Sequence, residues 1–310
     1  MRQGRDSFIF GGTDMEYGFA FFPGQGAQAP GMGKDLYENS KAARLVFEEA
    51  SDGAGIDVAK LCFESDKETL SRTENSQIAI FTHSMAALAA LRENGVAFKA
   101  AAGFSLGEYT SLAAAGVVTL ADGVKIVSKR GKLMQHAADT IDGGMAAILG
   151  LEDAKIEEAC AAVKNGIVRP VNYNCPGQLV ISGNVDAINA ACEKLKAAGA
   201  KRALPLKVGG AFHSPLMQPA KEELEKAIKA TTFSEPKCPV YQNVDAQPHT
   251  DPAEIQANLI AQLTSSVRWT ASVQNMIKAG ADDFTECGPG KALQGMIGRI
   301  DKTVSAHGII

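Results

Sequence analysis

The sequence of 310 residues lacks the features that mark membrane proteins and nucleic-acid-binding proteins. No apolar run approaches the roughly 18 to 20 residues that are needed to span a bilayer. The apolar patch near the N-terminus is too short for a secretory signal. Charged residues are balanced to a formal net charge of −4, so a wholesale basic surface for nucleic acid is absent. We therefore expect a soluble, cytoplasmic protein that binds neither membrane nor nucleic acid.

Cysteine is sparse, and its spacing shows no metal-binding pattern. There is no C-x-x-C pair, and no histidine accompanies the cysteines at the spacing of zinc ligands. We expect reduced and mostly buried thiols and no bound metal. The six residues are Cys62, Cys160, Cys175, Cys192, Cys238 and Cys287.

Apolar runs alternate with helical patterns through most of the chain. This alternation is typical of a parallel β-sheet covered by helices, and glycine-rich turns follow the predicted strands, where open α/β sheets usually bind ligands. The predicted strands are YGFAFF at 17–22, a strand at 99–104, CPVYQNV at 238–244 and DDFTEC at 282–287. The predicted helices cover about 40–51, 76–94, 105–115, 120–138, 215–230, 252–263, 268–279 and the segment after GPG at 288–290.

The segment between residues 143 and 207 follows a different rhythm. Its predicted elements are the strand MAAILGL, a helix at 152–164, the strands IVRPVNYN and QLVISG, a helix at 185–198 and the strand AKRALPLKV. This β-α-β-β-α-β order is ferredoxin-like and indicates a compact insertion. The predicted domains are a tag or loose N-terminal arm at 1–16, a large α/β domain formed by 17–142 and 208–310, and an inserted subdomain at 143–207.

The segment AAAGFSLGEYTSLAAAG at 100–116 places one serine between two glycines, where a predicted strand turns into a helix. Gly103, Ser105 and Gly107 match the G-x-S-x-G pattern of a nucleophile elbow. A serine at a helix N-terminus has backbone N–H groups beside it, and these would stabilise an oxyanion. The alternative is a structural role, in which Ser105 caps the helix and Glu108 completes a capping box.

The segment FFPGQGAQAPGMG at 21–33 begins with the last two residues of the first predicted strand and continues as a glycine-rich loop. Gly24, Gly26 and Ala29 satisfy a permissive G-x-G-x-x-A fingerprint, so dinucleotide binding is an alternative. A proline and further glycines interrupt the helix that such a site requires, which counts against a nucleotide. The loop suits an oxyanion donor better, because its glycines let the Gln25 N–H approach a ligand closely.

Arg130 is predicted to point inward, unlike the lysines of the same helix. In a helix over 120–138, a step of 100° per residue places the apolar side chains on one half of the surface, and Arg130 lies in the middle of that half. Burying an unpaired guanidinium would be costly. We therefore expect Arg130 to meet an anion, which is either a protein carboxylate or the carboxylate of a ligand.

His213 is the histidine whose position in the sequence best suits a base. It lies in VGGAFHSPLM, a loop between a strand and a helix, with glycines before it and a proline after it. We predict that it activates Ser105. The other histidines, which we interpret as ordinary packed or exposed residues, are His83, His136, His249 and His307.

Seven segments together resemble, in order, the malonyl-CoA:acyl carrier protein transacylases of type II fatty acid synthesis. They are PGQGAQ, GFSLGEY, RGKLMQ, NYNCPGQLVISG, GAFHSPLM, QLTSSVRW and ECGPGKAL, and they span about residues 17–300. The resemblance implies an α/β-hydrolase-like large domain with a short parallel sheet, an inserted ferredoxin-like subdomain, and an active site in the cleft between them. Thioester exchange by such an enzyme needs no metal and no other cofactor.

The resemblance also assigns roles to residues at matching positions. Ser105 would be the nucleophile and His213 its general base, while Gln25 and Leu106 would supply the N–H groups of an oxyanion hole. Arg130 would form a salt bridge with the malonyl carboxylate. The residues that would line the pocket or lie near the histidine are Met134, Asn174, Phe212 and Gln262.

Two phenylalanines bear on the details of this implied site. The family commonly has histidine where this chain has Phe104, which removes one polar contact behind the serine. Phe212, beside the base, resembles the malonyl-selecting pattern of the family and would crowd a methyl-branched substrate.

The implied reaction has two steps. Ser105 attacks the thioester of malonyl-CoA and becomes a malonyl ester, and the phosphopantetheine thiol of acyl carrier protein then takes the malonyl group. The expected partners are malonyl-CoA and an acidic acyl carrier protein, and the enzyme is expected to be a monomer. The alternatives are a serine esterase or thioesterase of related fold, a malonyltransferase of polyketide synthesis, and a non-catalytic binding module. An esterase would normally use an acidic third member, for which Asp142, Asp153 and Asp186 are available.

Overall fold

The computed structural model describes residues 16–93, 95–206 and 208–309, which form an α/β fold with two sheets. Within these ranges the strands are β1 (Glu16–Phe22), β2 (Ala97–Gly103), β3 (Gly143–Leu149), β4 (Val168–Cys175), β5 (Gln178–Asn184), β6 (Arg202–Pro205), β7 (Val240–Tyr241), β8 (Pro248–His249), β9 (Asp283–Cys287) and β10 (Ser305–Ile309). The helices are α1 (Lys34–Asn39), α2 (Lys41–Ala54), α3 (Val58–Glu64), α4 (Lys67–Ser71), α5 (Thr73–Arg92), α6 (Leu106–Ala114), α7 (Leu120–Thr140), α8 (Asp153–Ala161), α9 (Val185–Ala197), α10 (Gln218–Lys229), α11 (Pro252–Gln262), α12 (Trp269–Lys278) and α13 (Ala292–Ile300). A short 3₁₀ helix, Pro215–Met217, precedes α10.

The larger sheet is mainly parallel, with the strand order β10-β9-β1-β2-β7-β8. Neighbouring strands run parallel except for β7 and β8, which pair antiparallel. Successive side chains of β1 belong to different cores: Phe21 belongs to the core that includes residues of α12 and α13, and Phe22 belongs to the core that includes residues of α2, α5 and α6. Burial of both faces explains why this strand is a continuous apolar run.

The parallel arrangement determines where the functional side chains meet. The strands β1, β2 and β7 are neighbours that run in the same direction, so the segments that follow them emerge at one edge of the sheet. The glycine-rich loop follows β1, Ser105 follows β2, and Asn243 follows β7.

The smaller sheet is antiparallel, with the strand order β4-β5-β3-β6, and it spans Gly143–Pro205. Together with α8 and α9 it encloses a core of its own, which includes Ile148, Leu179 and Ile181. Two backbone hydrogen bonds join this sheet to the segment before α12. Val267 N–H donates to the Val171 carbonyl (2.7 Å), and Tyr173 N–H donates to the Val267 carbonyl (3.0 Å).

The predicted α/β class and the predicted helices and strands are confirmed, with changes at their ends. The strand predicted at 238–244 has only two residues, β7, because Gln242 and Asn243 turn their polar groups towards α6. Glu16, which the sequence assigns to the N-terminal arm, pairs with Ala97 as the first residue of β1. Residues 1–15 of that arm lie outside the described residues. The helices α1, α3 and α4 and the strands β8 and β10 were not predicted.

The predicted burial of the cysteines is confirmed. All six thiols are free; five are buried, and Cys238 is partly exposed. Among the described residues, no helix is both long and apolar enough to cross a membrane.

Candidate active site

The turn that carries Ser105 has a backbone that requires glycine on both sides. Ser105 has φ 52° and ψ −102°, which is a rare conformation for a residue with a side chain. A Cβ atom on Gly103 would overlap the backbone of Gly107, and one on Gly107 would overlap the Phe22 carbonyl oxygen. The G-x-S-x-G pattern therefore reflects the close packing of α6 against the ends of β1 and β2.

The alternative that Ser105 is only a helix cap is wrong. Its side chain accepts no hydrogen bond from the backbone of α6. The Glu108 carboxylate accepts from Asn243 N–H (2.6 Å) and from Gln242 Nε2 (3.2 Å), so it does not close a capping box. Glu108 is fully buried, and this burial raises its pKa to about 7.

The Ser105 hydroxyl lies 2.7 Å from His213 Nε2. The other ring nitrogen, Nδ1, faces the carbonyl oxygens of Gln262 (3.1 Å) and Ser265 (3.2 Å). Carbonyl oxygens can only accept, so we assign the proton to Nδ1 and the lone pair to Nε2. In this tautomer the Ser105 hydroxyl donates to His213.

His213 is neutral at physiological pH in this environment. Burial and then the positive charge of Arg130 lower its pKa to about 4. The contacts of Nδ1 with two backbone carbonyls replace the acidic third member of an esterase triad, and none of the three aspartates considered above lies against the ring. A neutral imidazole that accepts from a serine hydroxyl can serve as a general base.

Arg130 points inward as predicted and is 1% exposed. Its Nη2 donates to Ser105 Oγ (3.0 Å) and to Gln262 Oε1 (3.2 Å), and its Nη1 donates to Gln77 Oε1 (2.6 Å). The guanidinium also lies over the ring of Tyr109, 5.0 Å from its centroid.

Arg130 forms no ion pair within the described part of the chain. The buried carboxyl of Glu108 is near enough to raise the pKa of Arg130 slightly, but it accepts hydrogen bonds from Gln242 and Asn243 and does not contact the guanidinium. The contacts of Arg130 are with neutral oxygens and a ring, and its buried Nε has no hydrogen-bond partner. Burial lowers the pKa of Arg130, but a guanidinium stays protonated under all ordinary conditions. Of the two anions that the sequence left open, a ligand carboxylate fits this structure better than a protein carboxylate.

Two backbone N–H groups near Ser105 are available to a ligand. Leu106 is the first residue of α6, so its N–H has no acceptor within the helix. Gln25 lies in the turn after β1, and its side chain donates to Thr73 Oγ1 (3.2 Å). Neither backbone N–H donates to another backbone group of the described residues. These are the two groups that the resemblance assigns to an oxyanion hole.

The dinucleotide alternative for the glycine-rich loop is not supported. Residues 23–33 form turns and irregular backbone, and the next helix begins only at Lys34. That helix is six residues long and has no buried residue. The helix N-terminus that would bind a pyrophosphate is therefore absent at the expected position.

A mostly apolar cavity of about 110 Å³ opens onto Ser105 and His213. The predicted residues Gln25, Met134 and Phe212 line it. Its further lining residues are Phe104, Met145, Asn172, Leu206 and Val208.

The structure places Asn174, Leu106 and Phe104 in different surroundings. Asn174 is buried and is not among the residues that line the cavity, whereas Asn172, two positions earlier on β4, is. The pairing of β4 with β5 shifts register twice in this stretch, so the side-chain alternation is not regular. Leu106 is buried, and Phe104 packs edge-on against Trp269 with 5.8 Å between ring centroids.

Sequence reasoning missed Gln77 and Asn243, which contact the reactive groups. Gln77 binds Arg130, and Asn243 Oδ1 accepts from Ser105 N–H at 2.8 Å. One signal in the sequence could have identified them: each is a polar amide in a segment of mostly apolar residues. Such an amide is expected to be buried, and a buried amide needs hydrogen-bond partners.

Comparisons with known proteins agree with this geometry. The family model for the acyl transferase domain matches residues 20–303. The chain is 43% identical over 290 residues to a Staphylococcus aureus protein named malonyl CoA-acyl carrier protein transacylase, covering 93% of this chain and 94% of that protein.

Solved structures give the same result. An acyl carrier protein S-malonyltransferase from Vibrio cholerae aligns with a TM-score of 0.92 and 43% identity, over 94% of this chain and 96% of that one. A malonyl-transacylase solved in complex with a type II PKS acyl-carrier protein aligns with a TM-score of 0.91 and 39% identity, over 94% and 96% of the two chains.

Proposed function

Because the chain belongs to the acyl transferase family, we propose that it transfers a malonyl group from malonyl-CoA to the thiol of an acyl carrier protein. The observation that carries this proposal is the position of Arg130. A buried guanidinium without a carboxylate partner lies 3.0 Å from the hydroxyl of Ser105. Arg130 is not among the residues that line the cavity, but its Nη2 contacts Ser105 Oγ directly, so a short acyl group attached to that hydroxyl can bring a distal carboxylate to the guanidinium.

The first step forms a malonyl ester on Ser105. His213 Nε2 takes the hydroxyl proton while Oγ attacks the thioester carbonyl. The carbon–sulfur bond then breaks, and His213 donates the proton to the CoA sulfur, so that CoA leaves as a thiol. The N–H groups of Gln25 and Leu106 would bind the oxyanion, since both are free of backbone partners.

The second step transfers the malonyl group to the carrier protein. The phosphopantetheine thiol gives its proton to His213 and attacks the ester carbonyl, and the proton then returns to Ser105. Water would give hydrolysis by the same route.

Selectivity for malonyl would come from Arg130 and from the cavity wall. A neutral acyl group leaves the buried guanidinium without its anion, whereas a malonyl group supplies one. Met134 and Phe212 line the same cavity, and Phe212 would crowd a branch next to the carbonyl. Gln262 and Gln77 would hold the guanidinium in place through their side-chain oxygens.

The finer architecture is part of the same proposal. The residues of the larger sheet would form an α/β-hydrolase-like domain from 17–142 and 208–310, and the smaller sheet at 143–207 would form an inserted ferredoxin-like subdomain. The element order β3-α8-β4-β5-α9-β6 and the separate core of this segment support that division. The expectation of a monomer stays a prediction.

A transfer assay tests the proposed function. The protein is incubated with malonyl-CoA and a phosphopantetheinylated acyl carrier protein, and malonyl-carrier protein and free malonate are measured together. We expect nearly all malonyl groups to reach the carrier. Mainly free malonate would indicate an esterase or thioesterase, and no reaction would indicate a binding module. Carrier proteins of fatty acid and of polyketide synthesis are compared, because one solved relative binds a type II PKS carrier.

The pH dependence of the first step is a further prediction. His213 accepts a proton only while it is neutral, and burial together with Arg130 lowers its pKa to about 4. We expect protonation of His213 to reduce kcat/KM for malonyl-CoA only below about pH 5, because kcat/KM reports the free enzyme. Glu108, whose pKa burial raises to about 7, takes up a proton above that range but contacts neither the Ser105 hydroxyl nor the His213 ring. An acidic limb near the ordinary histidine value of 6.5 would contradict this expectation.

Loss of folding must be separated from loss of the base in this measurement. The unfolded chain binds the His213 proton near pH 6.5 and the folded chain only near pH 4, so protonation destabilises the fold as the pH falls between these values. The circular dichroism of each sample is therefore recorded at the pH of the assay. A lower kcat/KM with an unchanged spectrum assigns the lost activity to protonation of the base, whereas a parallel loss of the spectrum assigns it to unfolding.

A further inference from the structure

Asn243 holds both sides of the turn that carries Ser105. Its Oδ1 accepts from Ser105 N–H (2.8 Å), and its Nδ2 donates to the Gly103 carbonyl oxygen (2.7 Å). The Asn243 side chain therefore forms hydrogen bonds with the backbone of both Gly103 and Ser105. Asn243 is 1% exposed, so water does not compete for these two hydrogen bonds.

The backbone of Asn243 is itself held from two directions. Its N–H donates to the Glu108 carboxylate (2.6 Å), which belongs to α6, and its carbonyl accepts from Arg268 N–H (3.0 Å) before α12. Gln242, the preceding residue, donates to the same carboxylate (3.2 Å). The side-chain amide is therefore presented to the turn from a fixed backbone.

The conformation of Ser105 gives this contact a consequence for reactivity. A non-glycine residue with φ 52° and ψ −102° is strained and persists only when its surroundings determine it. The direction of the Ser105 side chain depends on these two angles. Ser105 Oγ lies 2.7 Å from His213 Nε2, and a relaxation of the turn would lengthen this distance.

We propose that Asn243 is a positioning residue for the nucleophile, which keeps the Ser105 turn in its strained conformation and Oγ in line with His213. The inference rests on the proposed acyl transfer by Ser105. It assigns to Asn243 an effect on the rate of acylation and little effect on the binding of malonyl-CoA, because Asn243 does not line the cavity. Both oxygen acceptance and N–H donation are needed, and an amide supplies both.

Asn243→Ala tests the proposal by single-turnover acylation with saturating malonyl-CoA. We expect the acylation rate to fall about 100-fold, as expected for a misplacement of about 1 Å, while half-saturation by malonyl-CoA changes less than about threefold. Asn275→Ala is the matched control. It removes a hydrogen bond to the Ala246 carbonyl (2.9 Å), which belongs to the same loop, and should leave the rate within about twofold. A folded Asn243→Ala variant with wild-type acylation would overturn the proposal.

Asn243→Asp gives a second test that does not depend on the stability of the alanine variant. An ionised aspartate can accept from Ser105 N–H but repels the Gly103 carbonyl, whereas a protonated one supplies both contacts. Burial raises the pKa of a carboxyl at this position, so the acylation rate of this variant relative to that of wild type should increase as the pH falls from about 8 to about 6. A flat profile at the wild-type rate would overturn the proposal.

Charged groups around position 243 influence that titration in opposite directions. Glu108 of α6 faces the backbone N–H and, while ionised, favours a protonated aspartate; because burial raises its own pKa to about 7, it also takes up a proton in this range in wild type and in every variant. Arg130 of α7 lies on the far side of Ser105 and favours an ionised aspartate. His213, beyond the serine hydroxyl, is neutral over the tested range. The acylation rate of Asn243→Asp at each pH is therefore compared with the rates of wild type and Asn275→Ala in the same buffers.

The outcomes separate this proposal from the proposed function. If wild type forms no malonyl ester, the proposed function fails. If wild type forms the ester and both Asn243 variants form it equally fast, only the positioning role fails.

Discussion

Replacing Ser105 with alanine is expected to reduce malonyl transfer by about 10⁴-fold or more. The substitution removes the atom that carries the acyl group, and no other hydroxyl is described as a partner of His213 Nε2. The Ser105 side chain is small, and its removal leaves the glycine-rich turn free to form. The rate is measured as the formation of malonyl-carrier protein at saturating malonyl-CoA.

Ser111→Ala is the matched control for this loss. Ser111 lies on the same helix α6 and is also fully buried, but its hydroxyl donates to the Glu108 carbonyl (2.8 Å) and is not in contact with His213. We expect this variant to transfer malonyl within about threefold of the wild-type rate. Transfer by Ser105→Ala at more than about a hundredth of the wild-type rate would show that another group carries the acyl chain.

Arg130→Ala is expected to reverse the preference between malonyl-CoA and acetyl-CoA. Leaving one charge of a buried ion pair unpaired costs about 3–5 kcal/mol, which corresponds to about 150-fold or more in rate. In the wild type an acetyl group incurs this cost, and in the variant the malonyl carboxylate incurs it. We therefore expect the malonyl to acetyl ratio of kcat/KM to fall by at least about 100-fold.

The ratio is the informative quantity, because Arg130 also donates to Ser105 Oγ. Loss of that hydrogen bond changes the rates of both substrates and cancels in the ratio. Lys132→Ala is the control, since it removes an exposed cation from the same helix α7. An equal loss with both substrates in Arg130→Ala would reject a role in recognising the carboxylate, whatever its effect on the rate.

Local geometry made Ser105 and Arg130 predictable from the sequence. The glycines around Ser105 reflect contacts within a single strand-turn-helix unit, and the inward direction of Arg130 follows from the period of one helix. His213 was identified from the composition of its loop. Of its two partners, Gln262 came only from the resemblance and Ser265 was missed, because contacts through backbone carbonyls leave no trace in the identity of those side chains.

The residues that sequence reasoning missed depend on long-range packing. Gln77 meets Arg130 across two packed helices, and Asn243 reaches Ser105 across 138 residues of chain. A buried amide signals that it needs partners, but the sequence does not show which groups they are. The glycine-rich loop itself pointed to Gln25, and the resemblance supplied the position of Gln262, whereas it pointed to Asn174 where the cavity is lined by Asn172.

The unpredicted secondary structure has two different causes. The helices α3 and α4 carried a usable signal, since Asp57 and Asp66 cap them by accepting from N–H groups three residues ahead, each at 2.8 Å. The strand β10 carried little signal, because its sequence SAHGI is short and only half apolar, and it forms only by pairing with β9. Tertiary context supplied that strand.

The most direct test of the account is to find the atom that carries the malonyl group. The protein is mixed with malonyl-CoA in the absence of carrier protein, quenched in acid, digested and mapped by mass spectrometry. The account predicts one malonyl adduct per chain, located on Ser105, which disappears when carrier protein is added before the quench. A malonyl adduct on another residue, or an unmodified chain that still produces malonyl-carrier protein, would contradict it.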